Sequence, residues 1–133
     1  MTNVFQDQKQ FMAAAGQTTN HYNREQTELY VNLMVEEFQE CVSAVSLEGF
    51  TKELTDLIVV TLGCLHSLGV DAEQAWQLVH ASNMSKTPFS VREDGKVQKG
   101  PNYQPPNLAP LIAAIEGITD EDLIKTEAEM DDE

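Results

Sequence analysis

The sequence predicts an all-α fold, an antiparallel four-helix bundle. Four segments carry apolar residues at helical spacing, glycines and capping residues separate them by short connections, and strand signals are few. The chain has 133 residues, enough for one domain with its own core. Its 41% apolar content is that of a folded chain, despite 22 acidic residues against 8 basic ones.

The first helix is read at 3–15, with Val4, Phe5, Phe11 and Met12 as apolar contacts and Gly16 as its stop. The second runs 24–47 on a stripe of Tyr30, Leu33, Met34, Phe38, Cys41, Val42 and Val45. Gly49 is read as the break before the third, 51–68. That helix is apolar nearly all round and belongs in the middle of a bundle. Gly69 stands where a left-handed residue closes a helix, and Asp71 caps the fourth helix, 72–86, with Gln74 reaching back. Prolines and glycines then exclude a continuous helix through 88–107, where Asp94-Gly95 marks a small hairpin. Residues 1–115 are read as one helical domain and 116–133 as a solvated acidic tail, with nine acids and one base. Within the tail, Thr119 caps a short helix through Leu123 and Ile124.

Charge and composition exclude several classes of function. A net charge of −14 opposes binding to nucleic-acid polymers, which need basic surface, and docking on anionic membranes. Cys41 and Cys64 lack the spacing of a zinc or redox pair and read as buried free thiols. With no span-length apolar run and no basic leader, the expectation is a soluble cytoplasmic protein.

Chemistry concentrates in Glu36-Glu37-Phe38-Gln39-Glu40 and Glu53-Leu54-Thr55-Asp56. Residues three apart share a helix face, so Glu37 projects with Glu40 and Glu53 with Asp56, while Glu36 points further toward solvent. The short connection makes the two helices antiparallel neighbours and brings both pairs to one end. Like charges at 4 Å repel by about 4 kcal/mol at an effective dielectric near 20. A divalent cation removes that repulsion, and an all-oxygen donor set selects Mg²⁺, with Mn²⁺ as substitute. A di-iron bundle is excluded, because no histidine has a glutamate three positions before it. A second feature is the line Trp76, His80, Asn83 and Lys86, running into a loop with Lys96, Lys99 and Tyr103. Trp76 reads as core and His80 as a half-buried histidine. For Asn83 and the lysines two readings stand: phosphate binding, or solvated surface.

Glu37-x-x-Glu40 followed by Glu53-x-x-Asp56 resembles the signature of the all-α nucleoside triphosphate pyrophosphohydrolases. That superfamily includes MazG, the dimeric dUTPases and phosphoribosyl-ATP pyrophosphohydrolase. Glu53 to Thr61, Ser82-Asn83-Met84-Ser85-Lys86, Asp94-Gly95-Lys96 and Lys99-Gly100-Pro101 are similar to the phosphoribosyl-ATP pyrophosphohydrolase-like branch. The resemblance covers roughly residues 24–108. It implies Mg²⁺ held by Glu37, Glu40, Glu53 and Asp56, a homodimer or homotetramer, and hydrolysis between the α and β phosphates to a monophosphate and pyrophosphate. Glu36 or one of the ligands would orient or deprotonate the attacking water. Asn83, Lys86, Lys96 and Lys99 would bind phosphates, and Phe89 or Tyr103 would stack on the base. The long Pro/Gly/Lys segment departs from the compact histidine-pathway enzymes, which ranks a house-cleaning activity on dUTP or another (d)NTP above phosphoribosyl-ATP. Two non-catalytic classes are the alternatives: an acidic protein that binds a basic partner, and a metal-binding module without turnover.

Overall fold

Each of the four long helices opens on a side-chain oxygen that accepts a hydrogen bond from a backbone N–H of the first turn. The pairs are Asn3 with Gln6, Asn23 with Gln26, Ser46 with Gly49, and Asp71 with Gln74. The computed structural model describes residues 3–123, and these caps set α1 (Val4–Ala14), α2 (Arg24–Ser43), α3 (Leu47–Leu68) and α4 (Ala72–Met84). A hairpin of β1 (Ser90–Val91) and β2 (Val97–Gln98) follows, then α5 (Ala109–Ala113) and one 3-10 turn (Asp120–Asp122).

The α2–α3 boundary differs from the sequence reading. α2 stops at Ser43, and α3 begins at Leu47, ahead of Gly49. Ser46 is extended, and its Oγ accepts from Gly49 N at 3.0 Å. A Cβ on residue 49 would stand 3.0 Å from that Oγ, so the bare glycine suits the cap instead of breaking the helix. Glu53 and Asp56 therefore lie in the second and third turns of α3. Gly69 closes α3 in the left-handed conformation expected of it (φ 82°).

α2 and α3 form a tight antiparallel pair. At one end Gln26 Nε2 donates to Ser67 Oγ at 2.8 Å. In the middle the Tyr30 ring lies so close on Gly63 that an added Cβ would be 2.2 Å from it. α1 runs along α3, with His66 Nε2 3.0 Å from Phe5 O and Met12 packed with Tyr30 and Val60. Met12 is fully buried, a contribution of about 1.5–3 kcal/mol. Val4 and Phe11, expected beside it, are exposed.

One chain does not close the expected four-helix bundle. α4 leaves α3 at 113°, leaving an apolar groove of about 420 Å³ lined by Phe5, Leu57, Ile58, Leu65, Trp76 and Val79. Trp76 is 64% exposed instead of core, and His80 is exposed as well. On α3, Leu54, Ile58 and Val59 are exposed, and so are Phe38 and Val42 on α2 and Val45 in the link after it. The apolar period marked these residues for burial, but among the described residues no element covers them. α5 was not foreseen. Leu111 and Ile115 join Val70 in a second small core, flanked by Tyr22, Leu65, Leu68 and Ile118. The acidic segment is laid on the body as far as Asp122, which pairs with Arg24 at 3.3 Å. Thr119 N donates to Asp122 Oδ2 at 2.8 Å, closing a single 3-10 turn where a short helix was expected. Ile124 and the remaining tail lie outside the described residues. No single described helix is long and apolar enough to cross a membrane.

Candidate active site

The seam between α2 and α3 is apolar at Tyr30 and Val60 and turns acidic toward the link between the helices. Glu37 and Glu53 face each other there. Glu37, Glu40 and Glu53 each offer a carboxylate oxygen within 4.8 Å of the other two. Glu37 Oε2 and Glu53 Oε2 are buried without a hydrogen-bond donor, a costly arrangement for ionised oxygens. Burial, then the bond to Glu53, then repulsion from Glu40, push the Glu37 carboxyl up to about 7. Glu40 is also raised, first by its bond to Glu53 and then by burial. Glu53 is lowered, because Glu37 and Glu40 donate to it when they hold protons. The three carboxyls thus act on one another, Glu37 and Glu40 pushed up and Glu53 down.

Asp56 stands at the edge of the cluster, and its charge acts on Glu37 and Cys41. Its Oδ2 accepts from Lys52 Nζ at 2.8 Å, and the same ammonium is 3.5 Å from Glu53 Oε1. Lys52 was not singled out in the sequence, although Lys52 and Asp56 have the i,i+4 spacing of a helical ion pair. Cys41 is buried beside the cluster, and burial followed by the carboxylate charges pushes its thiol up. Glu36 is exposed, one turn before Glu40.

The second group of candidates lies elsewhere in the chain. Asn83 is exposed on the last turn of α4, Lys86 is half-buried just beyond it, and Lys96 and Lys99 are exposed in and after the hairpin. Lys99 Nζ stands 4.7 Å from the centre of the Tyr103 ring, a cation–π distance. Phe89 is half exposed, before β1. None of these residues is within the carboxylate cluster.

A family model described as phosphoribosyl-ATP pyrophosphohydrolase matches residues 5–83. The chain belongs to that family. It is thereby a member of the all-α NTP pyrophosphohydrolase (MazG-like) superfamily, hydrolases that act on phosphoric anhydrides. The matched region takes in α1 from Phe5, then α2, α3 and α4 as far as Asn83, with Glu36, Glu37, Glu40, Glu53 and Asp56 inside it, and it ends before Lys86. No curated protein matches the chain.

Proposed function

We propose that this chain is a Mg²⁺-dependent pyrophosphohydrolase that cleaves the α–β anhydride of phosphoribosyl-ATP to phosphoribosyl-AMP and pyrophosphate. The observation that carries the reading is the meeting of Glu37, Glu40 and Glu53 in a seam where two carboxylate oxygens are buried with no donor. The family match over residues 5–83 supports this substrate, which reverses the sequence-based preference for dUTP or another (d)NTP. That preference survives as a second reading on one observation: the segment with Lys86, Lys96, Lys99 and Tyr103 lies beyond the matched region.

The donor set fits a hard divalent cation, since every donor is an oxygen and two of them, Glu37 Oε2 and Glu53 Oε2, are buried without a partner. Glu37, Glu40, Glu53 and Asp56 would hold Mg²⁺, or Mn²⁺ in its place, which supplies charge neutralisation and Lewis acidity at phosphate oxygens. Glu36, outside the cluster on the solvent side, takes the proton of the attacking water. Lys52 holds Glu53 and Asp56 in place before the cation enters. Asn83 and the loop lysines bind phosphate oxygens. The exposed apolar residues of α2 and α3 are covered in a homodimer or homotetramer.

An acidic protein serving a basic partner would display its carboxylates outward, whereas Glu37 and Glu53 are turned into the seam. Glu53→Gln tests the reading. It removes one ligand charge and keeps the shape, so Mg²⁺-dependent turnover falls by 100-fold or more with helicity unchanged. Turnover at the wild-type rate would remove Glu53 from the site.

A further inference from the structure

Lys52 occupies a position that a cation would contest. Its Nζ is 2.8 Å from Asp56 Oδ2 and 3.5 Å from Glu53 Oε1, so one ammonium touches two of the four carboxylates read as ligands. Among the described residues, the carboxylates close enough to share an ion are Glu37, Glu40 and Glu53, without Asp56. The ion pair accounts for that omission. Lys52, one turn before Asp56 on the same face of α3, holds the Asp56 carboxylate at the edge of the seam. The place of the ion itself is marked independently by Glu37 Oε2 and Glu53 Oε2, buried with no partner.

The hold on Lys52 is weak and its way out is open. The Lys52 side chain is 69% exposed. With Asp56 it borders an open hollow of about 530 Å³ on α3, lined also by Leu47, Glu48, Thr51 and Thr55. An exposed ion pair of this kind is worth about 0.2–1 kcal/mol. A divalent ion and an ammonium about 4 Å apart repel by about 8 kcal/mol at an effective dielectric near 20. The repulsion exceeds what holds the ammonium, so Lys52 leaves Asp56 once a divalent ion draws on the same carboxylate. The released side chain has a flexible four-carbon stem and three donors. It stands at the solvent edge of the acids, where a phosphate attracted by the ion arrives.

We propose that Lys52 exchanges partners: it pairs with Asp56 in the metal-free chain, yields that carboxylate to the divalent ion, and then sets its ammonium on a phosphate oxygen of the substrate. The proposal rests on the pyrophosphohydrolase reading and adds to it a substrate-binding residue and the order in which the fourth carboxylate is engaged.

Binding measured without turnover tests it. Calorimetry with Mg²⁺ alone, and with inorganic pyrophosphate at saturating Mg²⁺, compares the wild-type chain with Lys52→Met and Lys52→Gln, and circular dichroism verifies each fold. Loss of the ammonium should tighten Mg²⁺ binding about tenfold, the order of a close charge pair's coupling, and weaken pyrophosphate binding about tenfold. These shifts have opposite signs, which a merely structural role of Lys52 would not produce. Asp56→Asn leaves Lys52 no carboxylate to withhold at that position, so adding Lys52→Met to it should change Mg²⁺ affinity by less than about threefold. Mg²⁺ affinity unchanged or weakened in Lys52→Met, or raised as much in the Asp56→Asn background, would overturn the exchange. So would pyrophosphate binding as tight as that of the wild-type chain. If instead Glu53→Gln binds Mg²⁺ as tightly as the wild-type chain, the pyrophosphohydrolase reading of the cluster itself fails.

Discussion

Mg²⁺ binding should be a proton-release reaction, and Glu37 sets its range. In the metal-free chain its carboxyl is pushed up to about 7, against an ordinary value of 4.5. Below that point a cation must displace a proton, so the Mg²⁺ dissociation constant should rise about tenfold for each pH unit between 7 and 5.5. Above about 7.5 it should level off. The raised Glu40 carboxyl steepens the acid end. Stability without metal shows the same coupling with opposite sign. Because the folded chain holds the Glu37 proton more tightly than the unfolded one, this group's contribution is complete below about 4.5. It is lost as pH rises through about 7. His66 works the other way. Burial lowers it, so its contribution is present above 6.5 and lost as pH falls below that value. Comparison with Glu37→Gln isolates the first effect. Wild-type Tm should fall relative to the variant between pH 5.5 and 8, and saturating Mg²⁺ should reverse the order at pH 8. Calorimetry in two buffers of different ionisation enthalpy counts the released protons. An Mg²⁺ affinity independent of pH from 5.5 to 7.5 would refute the shared-proton description of the seam.

Three further outcomes follow from the same geometry. Lys52→Met removes the ammonium beside Glu53 and Asp56, so it should lower the metal-free Tm and enlarge the Tm rise produced by Mg²⁺; an unchanged Mg²⁺ response would contradict that role. Gly63→Ala drives a methyl into the Tyr30 ring and should cost about 1–3 kcal/mol in urea unfolding, or prevent folding; a neutral effect would mean that the helix crossing is loose. In the Glu37→Gln background, stability should still decline as pH falls below 6.5, and His66→Gln should flatten that decline.

Much of the helical layout was legible because it is locally encoded. Asp71 and Gly69 are terminal signals that need no tertiary context, and they stand where the chain starts and stops its helices. The α2–α3 link was misread because Val42 and Val45 continue the apolar period past Ser43, while Ser46 competes with Gly49 as the break. Only the cap bond from Gly49 N to Ser46 Oγ settles it. α5 was missed because Pro110 reads as a breaker in a proline-rich stretch, although proline suits the first turn of a helix. Period also identifies an apolar face without saying what covers it. That is why Trp76, Ile58 and Phe38 were assigned to a core that one chain does not build.

In the carboxylate cluster, spacing within each helix and the antiparallel link were enough to bring Glu37, Glu40 and Glu53 together. The turning of Asp56 toward Lys52 was not read, because an i,i+4 pair on an exposed face is common and seldom decisive. The direction in which α4 carries Asn83 and Lys86 depends on the 113° bend between α3 and α4, a tertiary quantity that no local pattern carries.

The central claim is tested most directly by product analysis. The protein is incubated with Mg²⁺ and phosphoribosyl-ATP, and in parallel with dUTP, dCTP, dTTP, ATP and GTP, with pyrophosphate resolved from orthophosphate. The account predicts equimolar pyrophosphate and phosphoribosyl-AMP, abolished by Glu53→Gln. Orthophosphate as the first product, or no turnover of any substrate by a folded, Mg²⁺-binding protein, would contradict it.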